Sequence, residues 1–501
     1  MDALDDLLAA RRQNLDALAA AGIAPYGAAF PKATPIAQLV EGYQDGQVVQ
    51  SAGRFAARRG HGAMTFGDLR DASGKIQVCF KQDLLGDAYA RLSHVDIGDW
   101  IGVEGELFKT KTGEPTIRVQ RWTMLSKALR PLPEKWHGLK DVETRYRQRY
   151  LDLIANEPVR RVFEQRARLV DSLRGTLKRH GYLEVETPMM HELPGGAAGE
   201  PFTTRHNALD MQLYLRLAPE LYLKRLLVGG FEKVFELNRC FRNEGLSTRH
   251  NPEFTMLEAY CAYENYRYMM RLVRELIVEA AQATLGTLRF EYQGRPIDLS
   301  KEWEVVSFTG LLRQGYDLNP EDGLDAMQEK LRHPKPGFRT VEMKGQSRSQ
   351  LLKVIEELVE PEAKETPVFV TDYWAATSPL AKSQLEHPLV VERFELYVGG
   401  FEVANAYSEL NDPIEQRRRF VSQLEDQPRS SSPIKPGETR RGIDEDFVEA
   451  LEYGMPPATG LGVGVDRLSM LLFNQPSIKD VILFPLLKPE ERRCGMSSGS
   501  G

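Results

Sequence analysis

Cysteine is scarce in this chain, which has four thiols among 501 residues: Cys79, Cys240, Cys261 and Cys494. No two of them form a CxxC pair or a zinc-ligand spacing, so the sequence excludes a disulfide framework and a structural zinc site. Long hydrophobic runs are also lacking, and none approaches the roughly 20 residues that a membrane-spanning helix needs. The acidic first six residues have neither the basic nor the apolar region of a signal peptide. We therefore expect a cytoplasmic protein with free thiols and no membrane contact.

Two common nucleotide-binding loops are missing. The phosphate-binding pattern GxxxxGKS/T does not occur, and the glycines of residues 460–467 (GLGVGVDR) do not have the GxGxxG spacing of a dinucleotide-binding fold. Alternate glycines would instead leave one face of a strand bare, so that a flat ring could lie against the backbone. Arg467, at the start of the following helix, could stack on a base or neutralise a phosphate. A Gly-rich strand alone, however, does not identify a ligand.

Charge is distributed unevenly. The formal net charge of −6 excludes a uniformly basic nucleic-acid-binding protein, yet residues 51–150 contain 18 Lys or Arg against 12 Asp or Glu. That local excess of +6 leaves −12 for the remainder and favours an anion-binding module attached to an acidic body. Chance clustering on a solvated surface would give the same count. Hydrophobic content of 42% and charged content of 27% are typical of globular proteins with an ample core.

Apolar periodicity separates two kinds of segment. Residues 3–20 have leucines at helical spacing, whereas residues 48–129 form short strand-like runs between glycine turns. About five short strands in about 80 residues predict a small β-barrel. A partly open five-stranded barrel of this size is a common oligonucleotide-binding (OB) scaffold. A connecting segment then leads to a long helix, residues 157–180, and to alternating strands and helices up to residue 487. We expect a helical extension (1–45), the barrel (46–130), a linker (131–158), a larger domain (159–490) and a flexible tail (491–501).

Residues 234–260 read as a strand, a polar loop and a returning strand. By strand periodicity Phe254, Met256, Glu258 and Tyr260 share one face, with Arg242 and His250 nearby in the hairpin. A carboxylate beside an aromatic ring and a hydroxyl is unusual for a plain core and indicates a binding site. The alternative is a solvent-facing hairpin with routine ion pairs.

A second hairpin spans residues 392–410, where Gly399-Gly400 is a two-residue turn signal. With Val398 opposite Phe401, Glu395 pairs with Ala404, and Glu402 is a diagonal neighbour at about 7–8 Å. Two carboxylates at that separation can share Mg²⁺, although two such residues are more often on a surface. Asn405, Tyr407 and Glu409 line the opposite face. A single pocket that uses both sets requires a bulge between Glu402 and Asn405.

Three segments together resemble the signature motifs of class II aminoacyl-tRNA synthetases. The long helix with Thr187-Pro188 resembles motif 1, residues 241–258 resemble motif 2, and residues 460–472 resemble motif 3. Longer strings narrow the resemblance to the lysyl-tRNA synthetase family: PGGAA (194–198), LRLAPELYLKRLLVGG (215–230), NAYSELND (405–412) and ALEYG (450–454). The resemblance covers nearly the whole chain. One departure is the stretch 421–443, which is richer in Pro and Ser than the family's usual helical segment.

The resemblance implies an α+β fold class, with an N-terminal OB-fold barrel and a class II catalytic domain built on an antiparallel β-sheet flanked by helices. It also implies lysine tRNA, L-lysine and ATP as partners, Mg²⁺ as a cofactor, and a homodimer through motif 1. The catalytic residues would be Arg242 and Arg467. ATP would be bound by Arg242, Glu244, His250, Phe254, Gly462 and Arg467, and Mg²⁺ by Glu395 and Glu402. Lysine would be bound by Gly196, Glu220, Glu258, Tyr260, Asn405, Tyr407 and Glu409, and the anticodon by Arg58, Phe66, Gln77 and Glu114.

The implied reaction has two steps: the lysine carboxylate displaces pyrophosphate from ATP, and a terminal ribose hydroxyl of tRNA then attacks lysyl-adenylate. Paired carboxylates at Glu258 and Glu409 suit an ammonium, whereas an aspartate substrate would need a cation there. Two alternatives stay open. A lysine ligase that modifies a protein would lack the N-terminal barrel, and a catalytically silent RNA-binding paralogue would have lost Arg242, Glu395, Glu402 or Arg467.

Overall fold

The computed structural model describes residues 3–31, 33–133, 139–197, 199–341, 347–361, 364–425 and 442–489. The predicted tail, 491–501, and most of the stretch 421–443 lie outside these described residues. The chain divides into two compact units, Met1–Lys140 and Asp141–Gly501. Within the described part of the chain, no helix has both the length and the apolar character needed to span a membrane.

The first unit is a five-stranded barrel with short helices. Its elements are α1 (Ala3–Ala20), α2 (Ile36–Glu41), β1 (Val48–His61), β2 (Met64–Arg70), β3 (Lys75–Lys81), α3 (Gln82–Leu85), α4 (Asp87–Arg91), β4 (Trp100–Lys109) and β5 (Pro115–Ser126). Alternate residues of the strands, including Phe55, Leu69 and Val78, are fully buried in the barrel core. The strand order β1-β2-β3-β5-β4 closes on itself, because β4 pairs with β1 and β3 runs parallel to β5. The expected small β-barrel of the OB type is therefore confirmed.

The second unit is built on one large sheet. Its helices are α5 (Val142–Arg147), α6 (Arg149–Ala155), α7 (Glu157–Arg179), α8 (Glu220–Val228), α9 (Tyr266–Leu285), α10 (Phe308–Tyr316), α11 (Leu324–Arg332), α12 (Arg348–Leu358), α13 (Pro413–Glu425), α14 (Glu445–Glu452), α15 (Val465–Leu472) and α16 (Ile478–Val481). Its strands are β6 (Leu183–Glu184), β7 (Met190–His191), β8 (Thr203–His206), β9 (Met211–Leu215), β10 (Lys233–Phe241), β11 (Glu253–Ala262), β12 (Arg289–Tyr292), β13 (Arg295–Asp298), β14 (Glu304–Ser307), β15 (Val368–Thr371), β16 (Arg393–Val398), β17 (Phe401–Ser408) and β18 (Ala458–Gly464).

Eight strands form the main sheet in the order β14-β15-β16-β17-β18-β11-β10-β6. The six central strands are antiparallel, and β14 and β6 pair in parallel at the two edges. Apolar faces of α7 and α9 pack against the sheet through fully buried residues such as Leu169, Leu173 and Ile277. One face of the sheet is therefore core, and the other face is left for a site. The predicted antiparallel sheet flanked by helices is confirmed.

The hairpin of β16 and β17 contains the bulge that a shared pocket requires. Tyr397 pairs with Glu402 and Leu396 with Ala404, so Val403 is the extra residue. Glu395 consequently pairs with Asn405, and the expected pairing with Ala404 is wrong by one residue. The extra residue reverses the alternation of side chains between the two faces of the strand. Glu402 and Asn405 therefore both point away from the core.

Asp466 connects the three motif segments. Its Oδ2 accepts a hydrogen bond of 2.7 Å from the Thr255 backbone N–H on β11, and its Oδ1 lies 2.6 Å from Nη2 of Arg166 on α7. The carboxylate is buried, so both partners are needed to offset its desolvation. This interaction holds the start of α15, and with it Arg467, against β11.

Candidate active site

A cavity of about 660 Å³ lies against the free face of the main sheet. Its walls come from β11, β17 and β18, from the loop after β10 and from the start of α8. The sequence-predicted residues of the second unit that line it are Gly196, Glu220, Arg242, Glu244, His250, Phe254, Glu258, Tyr260, Glu395, Glu402, Asn405, Tyr407, Gly462 and Arg467. Glu409 does not line the cavity and lies behind its wall, with 1% of its surface exposed.

One end of the cavity carries guanidinium groups and an aromatic ring. The Arg242 guanidinium lies 5.2 Å from the ring centre of Phe254, a cation–π distance. Arg467 donates from Nη1 to Glu402 at 3.0 Å and from Nη2 to Nε2 of His250 at 3.3 Å. Desolvation of the imidazole ring and the charge of Arg467 lower the pKa of His250. The lowered pKa favours the neutral imidazole, which can accept the hydrogen bond from Arg467. Glu244 is exposed at the mouth of this end.

Glu395 and Glu402 lie beside this cationic end. Burial and the neighbouring charge of Glu395 raise the pKa of the Glu402 carboxyl, while Arg467 opposes the shift. Glu395 is held by the hydroxyls of Tyr373 and Tyr397, which donate to its Oε2 at 2.8 and 2.7 Å. Two acids that repel each other and point into one cavity provide the oxygen ligands that a hard divalent cation prefers. No group of three or more potential metal ligands occurs among the described residues.

Several residues around Glu395 were not predicted. Arg393 bonds to Glu395, to Ser378 Oγ at 2.7 Å and to Asn405 Oδ1 at 3.3 Å, and it lies 4.4 Å from the ring centre of Tyr373. Arg393 precedes Glu395 by two residues, so the two side chains lie on the same face of β16. The strand period of two could therefore have predicted their contact. Its charge partly offsets that of the two acids.

The opposite end of the cavity is acidic. Glu258 and Glu220 are buried, and each accepts a hydrogen bond from a tyrosine: Tyr260 donates to Glu258 at 3.1 Å and Tyr407 to Glu220 at 2.6 Å. Burial and the charge of Glu220 raise the pKa of Glu258 to about 8. The described residues that line this end carry carboxylates and no cation of their own, an arrangement that suits an ammonium group.

Glu409 reaches this end only past Gly460. A Cβ atom at Gly460 would lie 2.2 Å from Glu409 Oε1 and 2.4 Å from Cε1 of Tyr260, so any larger residue would displace both side chains. Burial, with the charges of Glu220 and Glu258, raises the pKa of Glu409 to about 8, although Lys224 lowers it.

Lys224 is the residue here that sequence reasoning missed. Its side chain is fully buried, its Nζ donates to Glu220 at 2.7 Å, and it forms an ion pair with Glu409. Glu220 and Lys224 are four residues apart in α8, and this helical spacing could have predicted their contact. The second contact joins distant parts of the chain and has no local signature.

Two further candidates shape the cavity through their backbone. Gly196 has φ 82°, a conformation that favours glycine, and its α-carbon faces Ala218 and Glu220. Gly462 pairs with Glu258 on one side and with Asn405 on the other, so it lies at the centre of the cavity floor.

In the barrel, the structure brings together three of the four anticodon candidates. Gln77 donates from Nε2 to Glu114 at 2.9 Å, and Phe66 lies on the same outer face of β2 and β3. Arg58 pairs with Gly67 and donates to the Val95 carbonyl at 3.4 Å, on the other face. A bulge at β1 turns Arg59 rather than Arg58 towards Phe66.

Comparisons with known proteins match both units. Residues 141–488 match the family described as tRNA synthetases class II (D, K and N), and residues 49–125 match the OB-fold nucleic acid binding domain. The chain is similar to the lysine–tRNA ligase of Carboxydothermus hydrogenoformans, with 50% identity over 97% of this chain and 99% of the relative. It is 48% identical to the lysine–tRNA ligase of Moorella thermoacetica over 98% of this chain and 99% of the relative. It is 45% identical to the lysine–tRNA ligase of Bacillus subtilis over 97% of this chain and 98% of the relative.

The raised pKa of Glu258 makes a prediction about stability. Its native pKa of about 8 exceeds the ordinary value of 4.5, so the folded state binds the extra proton between these values and the free energy of unfolding falls as pH rises. Glu258→Gln removes this dependence. We expect the melting temperature of the variant minus that of the unmodified protein to increase from pH 5 to pH 8, measured by scanning calorimetry without lysine. Glu253→Gln, an exposed position on the same strand, is the control, and a difference that stays constant with pH would contradict the prediction.

Proposed function

Because the chain belongs to the class II tRNA synthetases and, within them, to the lysine–tRNA ligases, we propose that its cavity joins L-lysine to the 3′ end of lysine tRNA with ATP as the second substrate. The observation that carries this proposal is the polarity of the cavity. Guanidinium groups and an aromatic ring occupy one end, and buried carboxylates occupy the other. A nucleoside triphosphate and a diamino acid are the ligands that this arrangement complements.

The acidic end supports lysine among the amino acids of this class. Glu258 with Tyr260, and Glu409 through the gap at Gly460, would bind the ε-ammonium. Glu220 and Gly196 would receive the α-amino group, and Asn405 and Tyr407 would complete the wall. An aspartate or asparagine side chain would leave these carboxylates buried and unpaired, which is costly.

The cationic end supports activation of the amino acid by ATP. Phe254 and Arg467 would contact the two faces of adenine, with Glu244 and Gly462 beside it and His250 facing the phosphates. Arg242 would hold the lysine carboxylate and the α-phosphate together. The carboxylate is already a nucleophile, so positioning and charge neutralisation suffice for its in-line attack and the departure of pyrophosphate.

Glu395 and Glu402 fit a divalent cation, and Mg²⁺ is the ion we propose. Burial and the charge of Glu395 raise the pKa of Glu402, and a bound divalent cation would relieve the repulsion between the two carboxylates. When bound, Mg²⁺ would neutralise phosphate oxygens of ATP. Tyr373, Tyr397 and Arg393 orient Glu395 for this purpose.

The barrel supports tRNA as the acceptor. Its outer face presents Phe66, which would stack on a splayed anticodon base, and Gln77 and Glu114, which would read base edges. Arg59 lies on that face, and Arg58 would contribute only if its bond to Val95 is released. A ligase for a protein substrate has no use for this module, and a silent paralogue does not account for the retention of Arg242, Glu395, Glu402 and Arg467.

The first test is lysine-dependent ATP–pyrophosphate exchange. We expect exchange with lysine and not with aspartate, and its loss when EDTA removes Mg²⁺. Arg242→Ala should lower exchange by about a hundredfold or more, because it removes the group that joins both substrates. Arg239→Ala, on β10 just before the loop of Arg242 and outside the cavity, should retain exchange. Exchange that is equal with aspartate would refute the assignment to lysine.

The second test separates the barrel from the catalytic unit. Phe66→Ala should leave exchange unchanged and lower the rate of charging of lysine tRNA by about tenfold at limiting tRNA, since a base loses its stacking partner. Tyr26→Ala, an exposed aromatic of the same unit, is the control. Unimpaired charging by Phe66→Ala would show that the barrel does not read the anticodon through this ring.

We further propose a homodimer in the cytoplasm, on the basis of the motif 1 resemblance and the family. Sedimentation equilibrium at micromolar concentration should give twice the mass of one chain. A monomer that remains fully active in exchange would rule out the dimer as a requirement.

A further inference from the structure

A buried lysine of the protein lies behind the acidic end of the cavity. Lys224 has no exposed surface, and its ammonium lies between Glu220 and Glu409, with the ring centre of Tyr407 at 5.5 Å. Neither Lys224 nor Glu409 lines the cavity, whereas Glu220 does. Lys224 therefore lies behind the wall of the proposed lysine site, and Glu409 can reach a ligand only through the gap at Gly460.

Glu409 has one oxygen for Lys224 and one without a partner. Its Oε2 pairs with Lys224, whereas Oε1 has no hydrogen-bond partner among the described residues although it is buried. Oε1 points at the space that Gly460 leaves open, because that is where a Cβ atom would meet it at 2.2 Å. An orphaned buried acceptor of this kind is costly unless a donor arrives. The donor that fits is an ammonium entering from the cavity.

From this geometry we infer that Lys224 is a positioning residue for the amino-acid substrate: its ammonium is a built-in counter-ion that favours the ionised form of Glu409 and holds the free oxygen of that carboxylate towards Gly460. The inference rests on the proposed function, since it assumes that lysine is the substrate. Lys224 acts through Glu409 and Glu220 and does not touch the substrate.

The charges at this end support such a role. Glu220, Glu258 and Glu409 supply three negative charges when ionised, and Lys224 supplies one positive charge. The difference of two matches the two ammonium groups of free lysine, whose carboxylate is left for Arg242. Without Lys224 the three carboxylates would repel one another unopposed, and protonation would remove the acceptors that lysine needs.

The groups that face Glu409 determine how this site responds to pH. The ionisable and charged groups on the elements packed around it are Glu220 and Lys224 of α8, Glu236 of β10, Glu258 and Tyr260 of β11, Tyr407 of β17 and Arg216 before α8. Lys224 is the cation in contact with Glu409, so its removal raises the pKa of that carboxyl further. Binding of an ammonium to an ionised carboxylate then requires a higher pH.

The test measures KM for lysine in ATP–pyrophosphate exchange between pH 6.5 and pH 9 for the unmodified protein, Lys224→Met and Lys224→Arg. We expect Lys224→Met to raise KM for lysine about tenfold or more at pH 7, because it leaves a buried charge without its partner. The ratio of its KM to that of the unmodified protein should fall as pH rises, and the substrate's own titration cancels in this ratio. KM for ATP should stay unchanged. Lys224→Arg, which keeps the charge, should restore most of the affinity.

A double variant separates positioning from a structural role. In the Glu409→Gln background Lys224 retains only its contact with Glu220, so adding Lys224→Met should raise KM for lysine by a clearly smaller factor than it does in the unmodified protein. Equal increases in KM for lysine and ATP, or a ratio that does not vary with pH, would overturn the inference. Loss of folding in both Lys224→Met and the double variant would assign the lysine a structural role and overturn it too. Absence of lysine exchange in the unmodified protein would instead refute the proposed function.

Discussion

The acidic end of the cavity depends on three carboxylates that are buried next to one another. Glu220, Glu258 and Glu409 all have less than a tenth of their surface exposed, and each loses hydration that water would otherwise provide. Ionised carboxylates in such surroundings cost several kcal/mol each unless paired. One lysine and the hydroxyls of Tyr260 and Tyr407 offset part of this cost. The remaining cost raises the pKa of Glu258 and of Glu409 to about 8, and a bound cation would favour the ionised form of both carboxylates.

The sheet is the frame that makes this burial possible. β18 runs between β11 and β17, and its glycines leave the floor of the cavity without side chains. Asp466, held by Arg166 and the Thr255 amide, fixes the helix that follows β18. The two ends of the cavity therefore keep a constant separation, which suits a reaction that depends on positioning more than on a protein nucleophile.

The cationic end also contains neighbouring carboxylates, but there arginines contact them. Glu395 and Glu402 also repel each other, yet Arg393 and Arg467 contact them directly. These arginines offset part of the repulsion, and both carboxylates still line the cavity. The divalent cation and the polyphosphate that we propose for this end would neutralise each other's charge.

Local patterns in the sequence determined the strands, the helices and the faces they present. Period two placed Phe254, Glu258 and Tyr260 on one face of β11, and the turn at Gly399-Gly400 placed Glu402 diagonal to Glu395; the structure has both arrangements. These features depend on neighbours within a few residues, which is the range that a sequence pattern encodes.

Only the tertiary structure decided the bulges and the distant ion pairs. The bulge at Val403 moved the partner of Glu395 by one residue, and the bulge in β1 exchanged the faces of Arg58 and Arg59. The contact of Lys224 with Glu409 forms because α8 packs against the sheet end where β17 stops. Both depend on which strand or helix lies alongside, and sequence spacing carries no information about that neighbour.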